Sequence, residues 1–197
     1  MYFLSDKEIT KELIIACSKN NRTAQKILYE LCYRFLMPIC SRFHSNEEDC
    51  RASFNAGFLK ILNNLNSLEP DVSIFIAWSR RIMNNTLIDE YRKNKKYKER
   101  LSIRENEREL DYLSTKPTNI AEDSFNEKAI LNLLDYLNPT SKQVFLLYVI
   151  EGYNHKEIAS LLQMSEGTSK WHLSIARKEL RDMIEKLNKN QKTRIAI

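Results

Sequence analysis

Glycine and proline are scarce, three and four in 197 residues. Strands need frequent turns and helices need few breakers, so this shortage points to an all-α protein. Gly57, Gly152 and Gly167 lie far apart, and no glycine-rich phosphate loop can be built from them; that weakens any nucleotide-hydrolase reading. The three histidines, His44, His155 and His172, are scattered, with no Ser/His/Asp or paired-carboxylate pattern, so no catalytic residue and no enzyme are expected. No apolar run approaches the roughly 20 residues needed to cross a bilayer. The start, MYFLSDKEITKELI, lacks the basic and apolar blocks of a signal peptide; no membrane insertion is expected, and the cytoplasm is the expected compartment. Four cysteines, Cys17, Cys32, Cys40 and Cys50, form no C-x-x-C pair and read as buried free thiols. The spacing of Cys40, His44 and Cys50 matches no common zinc motif, so neither metal nor cofactor is expected.

What is present is a core and an uneven charge. Hydrophobic residues make up 43% of the chain, enough to pack an interior and to exclude wholesale disorder. The net charge of +5 says less than its distribution. Residues 80–100 hold eight basic against three acidic residues, and residues 165–194 hold eight against four. Between them, residues 101–135 hold four basic and eight acidic. Two basic blocks around an acidic middle suit two separate polyanion contacts, or simply two solvated helix faces.

Helical periodicity organises the chain into two blocks. Ala24, Ile27, Leu28, Leu31, Phe35 and Ile39 recur at steps of three or four, predicting an amphipathic helix from Arg22 to His44 that Pro38 should kink or end. Asn46, followed by Glu47, Glu48 and Asp49, has the chemistry of a helix start. Phe58, Leu59, Ile61, Leu62 and Leu65 give that second helix its apolar side. A loop around Pro70 follows, with Asp71 or Ser73 capping a long third helix. The apolar period fades from Lys96 to about Asp123, which reads as a linker. A second helical block starts near Phe125; Pro139 suits a first turn and Gly152 a helix end. The expected division is 1–98, a linker over 99–123, and 124–197.

The C-terminal block has the spacing of a helix-turn-helix. Ile158, Ala159 and Leu162 give one helix an apolar face, Met164 fills the turn, Ser165 caps the next helix, and Leu173, Ala176 and Leu180 face inward. Lys170, His172, Ser174 and Arg177 are left near the outside, able to meet phosphates or base edges. The same spacing also suits an ordinary helical hairpin with a solvated basic face. In the third helix, Asn85, Asp89 and Arg92 lie near the azimuth of Trp78 and Ile82 at about 100° per residue. Either the helix leaves the core in its second half, or an aromatic wall and an amide line a pocket for something planar and polar, such as an unpaired base.

These two blocks carry a family resemblance. FLKILNNLNSLEPDVSIFIAWSRRIMNNTLIDEYRKNKK resembles the second conserved region of bacterial sigma factors, and LNPTSKQVFLLYVIEGYNHKEIASLLQMSEGTSKWHLSIARKELRDMI resembles the fourth. The short chain with a linker between them is similar to the extracytoplasmic-function group. The resemblance implies two small helical domains that bind core RNA polymerase and promoter DNA, with an anti-sigma factor as a further partner. Asp49, Phe58 and Leu59 would face the polymerase clamp helices. The loop from Asn66 to Ser73, Leu68 included, with Lys60, Trp78, Arg81, Asn85, Asp89 and Arg92, would hold single-stranded minus-ten DNA. Thr168, Lys170, Trp171, His172, Ser174 and Arg177 would face the minus-thirty-five element. A stand-alone helix-turn-helix regulator is the alternative. The sequence also departs from the family pattern. Asn55-Ala56 stands where Gln-Glu is common, and Trp171, His172 and Ile175 stand where small or basic residues are frequent, so promoter preference does not carry over from relatives.

Overall fold

The computed structural model describes residues 8–44, 46–104 and 132–195, and every regular element among them is helical. They divide into two units, Met1–Lys96 and Tyr97–Ile197, which are described separately. The expected linker over 99–123 and the block start near Phe125 lie outside the described residues, except for 99–104.

The first unit is built from α1 (Lys11–Ser18), α2 (Arg22–Phe43), α3 (Glu47–Asn64), a 3₁₀ turn (Leu65–Ser67) and the part of α4 (Val72–Arg104) up to Lys96. Side chains cap each of the four helices. Thr10, Asn21, Asn46 and Asp71 accept from the backbone N–H groups of Leu13, Ala24, Asp49 and Ile74 at 3.2, 3.0, 2.7 and 2.9 Å. Each cap satisfies one amide that the first turn leaves unpaired, typically worth about 1 kcal/mol. Helix α1 is too short for periodicity to reveal, but Thr10 caps it and the apolar Ile14 and Cys17 are buried. Helix α2 runs through Pro38 and ends at Phe43, so the proline does not terminate it. Pro38 is exposed while Ile39 and Cys40 beside it are buried, and their packing keeps the chain helical.

The core of this unit joins all four helices. Leu28, Leu36, Phe54, Ile61, Phe75 and Met83 are fully buried, each contributing roughly 1.5–3 kcal/mol. Tyr29 and Tyr33 meet the Phe54 ring edge-on at 5.1 Å. Gly57 allows α3 and α4 to approach: a Cβ there would lie 2.6 Å from Met83 Cε. Helix α4 extends past Lys96, where the apolar period fades, because no glycine or proline interrupts residues 72–104 and Lys, Glu, Arg and Leu favour helix intrinsically.

In the second unit, buried Leu133, Leu134 and Leu137 lead into α5 (Pro139–Phe145) and a π turn (Leu146–Ile150). Asn138 Oδ1 caps Thr140 N at 3.0 Å, with Pro139 in the first turn. Gly152 takes φ +76°, a left-handed conformation that suits glycine where the helix ends. Helices α6 (His155–Leu162) and α7 (Glu166–Ile195) follow. Helix α7 continues to Ile195, again because neither glycine nor proline follows Gly167.

Candidate nucleic-acid interface

The second unit holds a helix-turn-helix whose geometry is fixed by local hydrogen bonds. Glu157 N donates to Asn154 Oδ1 at 3.0 Å and Asn154 N donates to Glu157 Oε2 at 2.9 Å, a reciprocal capping box at the start of α6. Gln163 turns the chain with φ +55°, and Ser165 Oγ accepts from Thr168 N at 3.0 Å to start α7. Ile158, Ala159 and Leu162 are buried with Leu173, Ala176 and Leu180, as the periodicity predicts.

The opposite face of α7 is open. Gly167, Lys170, Trp171, Ser174 and Lys178 are exposed and follow one another at steps of one, three and four. A basic stripe of this kind can meet phosphates, and side chains near the helix N-terminus can reach base edges. Arg177 is exposed too, with its guanidinium 5.7 Å from the centroid of the Tyr148 ring, which itself stacks on His155 at 4.5 Å. Thr168 is exposed, but its hydroxyl shares a 2.8 Å hydrogen bond with Ser165. His172 corrects the outward reading: it is half-buried, and its Nδ1 lies 3.0 Å from Oγ of buried Ser141 on α5. Its ring thus ties α7 to the rest of the unit.

In the first unit, the candidate residues converge around the α3–α4 pair. Asp89 lies 4.0 Å from Lys60 Nζ and 3.6 Å from Arg92 Nη1, so one carboxylate orients two cations from two helices. Such half-exposed pairs add little stability, which leaves the cations available to a stronger anion. Arg81 and Asn85 are exposed on α4. Trp78 and Ile82 are half-buried at the rim of the core, and Trp78 lies 6.2 Å from the Phe75 ring. The shared azimuth therefore starts at the core rim and emerges at Asn85 and Asp89. Leu68, in the connection before α4, is half-buried against the same core. Asp71 N donates to Glu69 O at 2.7 Å, which tightens the turn at Pro70.

The expected polymerase-facing residues separate. Leu59 is 58% exposed, whereas Phe58 is 6% exposed and meets the Tyr29 ring edge-on at 5.1 Å. Phe58 thus packs in the core beside exposed Leu59. Asp49 is exposed and accepts from Asn46 Nδ2 at 2.6 Å in the α3 cap.

One cluster escaped sequence reasoning. His44 Nε2 lies 2.7 Å from Ser53 Oγ and 3.5 Å from Glu90, and Ser53 Oγ also donates to Glu90. The residue types are those of a hydrolase triad, but Ser53 is only 2% exposed and its hydroxyl points at a carboxylate, so no substrate reaches it. The cluster joins the end of α2 to α3 and α4. Burial pushes the Glu90 carboxyl up, yet hydrogen bonds from His44 and Ser53, helped by the charge of Lys60, bring it below its ordinary range. No local pattern signals this grouping, because nine and thirty-seven residues separate Ser53 from its partners. Cys40, considered above with His44 and Cys50, instead places its thiol 3.5 Å from Met83 Sδ. All four cysteines are free and buried, and burial pushes Cys17 up to about 11 and Cys40 up to about 12. They stay protonated near neutral pH and are poor nucleophiles. No described helix is long and apolar enough to cross a membrane.

Comparison with known proteins gives these two sites a common frame. The Sigma-70 region 2 family matches residues 28–97, and the Sigma-70, region 4 family matches residues 127–180. The ECF RNA polymerase sigma factor SigE of Mycolicibacterium smegmatis is 24% identical over 159 residues, which is 81% of this chain and 58% of that protein. The chain thus spans little more than half the length of this curated relative. Among solved structures, the sigma factor RpoE in complex with the anti-sigma factor NepR from Bartonella quintana has a TM-score of 0.49 at 15% identity, covering 81% of this chain and 96% of that one. CnrH in complex with the cytosolic domain of CnrY has a TM-score of 0.47 at 20% identity, covering 89% and 96%. With region 2 on α2–α4, region 4 on the helix-turn-helix, and the two in this order, the chain belongs to the sigma-70 family of RNA polymerase sigma factors, in its extracytoplasmic-function group.

Proposed function

We propose that the chain binds core RNA polymerase and directs it to promoters, reading duplex DNA with α7 and holding separated strands with the α3–α4 site. The observation that carries this reading is the pairing of two basic faces in one chain. One is an open helix stripe suited to the major groove. The other is a cation cluster beside an exposed amide, suited to a displaced strand. Lys60, Arg81 and Arg92 supply salt-dependent attraction to phosphates, and Asn85 supplies donors and an acceptor to a base edge. Leu59 is the apolar contact offered to the polymerase clamp, with Phe58 fixing its position. Thr168, Lys170, Trp171, Ser174 and Arg177 form the duplex-facing surface, and His172 positions it. Asp49 lies beside the clamp-facing helix start. This is recruitment and strand stabilisation, with no covalent chemistry by the chain itself, and it belongs in the cytoplasm with the polymerase. An anti-sigma factor that covers these faces completes the proposal; the family resemblance carries that part.

Promoter binding by the free chain and by its mixture with core polymerase tests the reading. Each unit alone offers one small basic face, so the free chain should bind duplex DNA weakly and the mixture specifically. Lys170→Ala and Arg177→Ala should each weaken the mixture and reduce the slope of affinity against salt by about one contact. Tight, sequence-specific binding by the free chain at physiological salt would instead identify a stand-alone regulator.

A further inference from the structure

Trp171 is 60% exposed, an unusual place for an indole, since so large an apolar surface is normally buried in the core or against a partner. It sits in the second turn of α7, in the middle of the open stripe between Lys170 and Ser174. It is also braced. The indole meets the His172 ring edge-on at 4.8 Å, and His172 is held by Ser141, which is 1% exposed on α5. A side chain tied in this way loses little freedom on binding.

The space ahead of the indole is open. Helical side chains lean toward the N-terminus, over the residue four positions earlier. That residue is Gly167, and a Cβ there would meet nothing closer than Ser165 Oγ at 3.6 Å. Ser174, on the other side, is small. Gly167 and Ser174, four positions before and three after the indole, therefore add no bulk beside it.

We propose that Trp171 is a specificity-determining residue that selects thymine in the upstream duplex element, packing on the C5-methyl group in the major groove. This rests on the DNA-binding reading of α7 above. Thymine alone carries an apolar group on its major-groove edge, which matches a flat hydrocarbon surface. The indole N–H is a donor only, so it can also meet thymine O4 but opposes the N4 amino group of cytosine. Lys170 and Lys178, on the same stripe, supply sequence-independent attraction to phosphates.

Replacing thymine by deoxyuridine, position by position in the upstream element, removes the methyl group and nothing else. With the full chain bound to core polymerase, one or two such replacements should weaken promoter binding about fourfold, the transfer value of one buried methyl group expressed as an affinity ratio. Trp171→Ala should bind more weakly and lose the distinction between thymine and deoxyuridine at those positions. Trp171→Phe should keep it, and Lys170→Ala should weaken all templates alike while leaving it intact. The proposal is overturned if Trp171→Ala retains the wild-type deoxyuridine sensitivity. It is equally overturned if no position is methyl-sensitive while Lys170→Ala still weakens binding. If Lys170→Ala, Arg177→Ala and Trp171→Ala all bind as wild type does, the DNA-facing assignment of α7 falls, and this proposal falls with it.

Discussion

Asn85 is exposed although its neighbours Asn84 and Thr86 are buried, so the helix turns one amide outward in the middle of its packed length. It lies two turns after Trp78 and one turn before Asp89, which holds Lys60 and Arg92. An amide in that setting costs nothing in desolvation while free and can bond the edge of an unpaired base. Asn85→Ala should therefore impair strand opening by about 1–3 kcal/mol, the scale of a good base contact. Polymerase binding and closed-complex formation should be largely retained. Permanganate footprinting of the open complex and thermal unfolding of the same variant check this together. A destabilised chain with normal opening per folded molecule would make Asn85 a structural group instead. Exposure at single residues was legible in part: Lys170, Ser174 and Arg177 are exposed, where the helical period leaves them outside. The neighbours of Phe58 and His172 were not, because periodicity gives an azimuth but not what lies opposite it.

Among the helices, the local rules read well and the distant ties did not. The caps at Asn46, Asp71 and Ser165 act through neighbours three residues away, so sequence alone exposes them. Pro38 does not end α2 and α4 runs past Lys96, since burial of Ile39 and Cys40 outweighs a proline, and amphipathicity fades well before helix propensity does. The cluster of His44, Ser53 and Glu90 was invisible for the opposite reason: folding of three helices assembles it. It should hold those helices together measurably. Because the Glu90 carboxyl is lower in the folded chain than its ordinary value of 4.5, its contribution is complete above that value. It is lost as pH falls through the folded value. Glu90→Gln, followed by the fluorescence of Trp78 in a Trp171→Phe background, should lower stability by about 1–3 kcal/mol at pH 7. The difference from wild type should shrink as the pH is taken below 4.5. A deficit that stays constant into acid would mean that Glu90 acts through packing and not through its charge.

At the scale of the whole chain, the acidic stretch over 101–135 lies in sequence between the two basic blocks, and the α3–α4 site and the α7 stripe belong to different units. Each unit carries its own buried core, and each basic face alone is small. Linking two weak contacts raises their joint strength through effective concentration, provided both can be engaged at once. Under the proposed function, core polymerase would supply that condition by engaging both units at once. The most direct measurement is run-off transcription from host genomic promoters by core polymerase, with and without the chain. Core polymerase alone should start at random or not at all, and adding the chain should produce discrete transcripts from a defined set of promoters. Discrete initiation that is identical without the chain, or no initiation with it on any host promoter, would contradict the account.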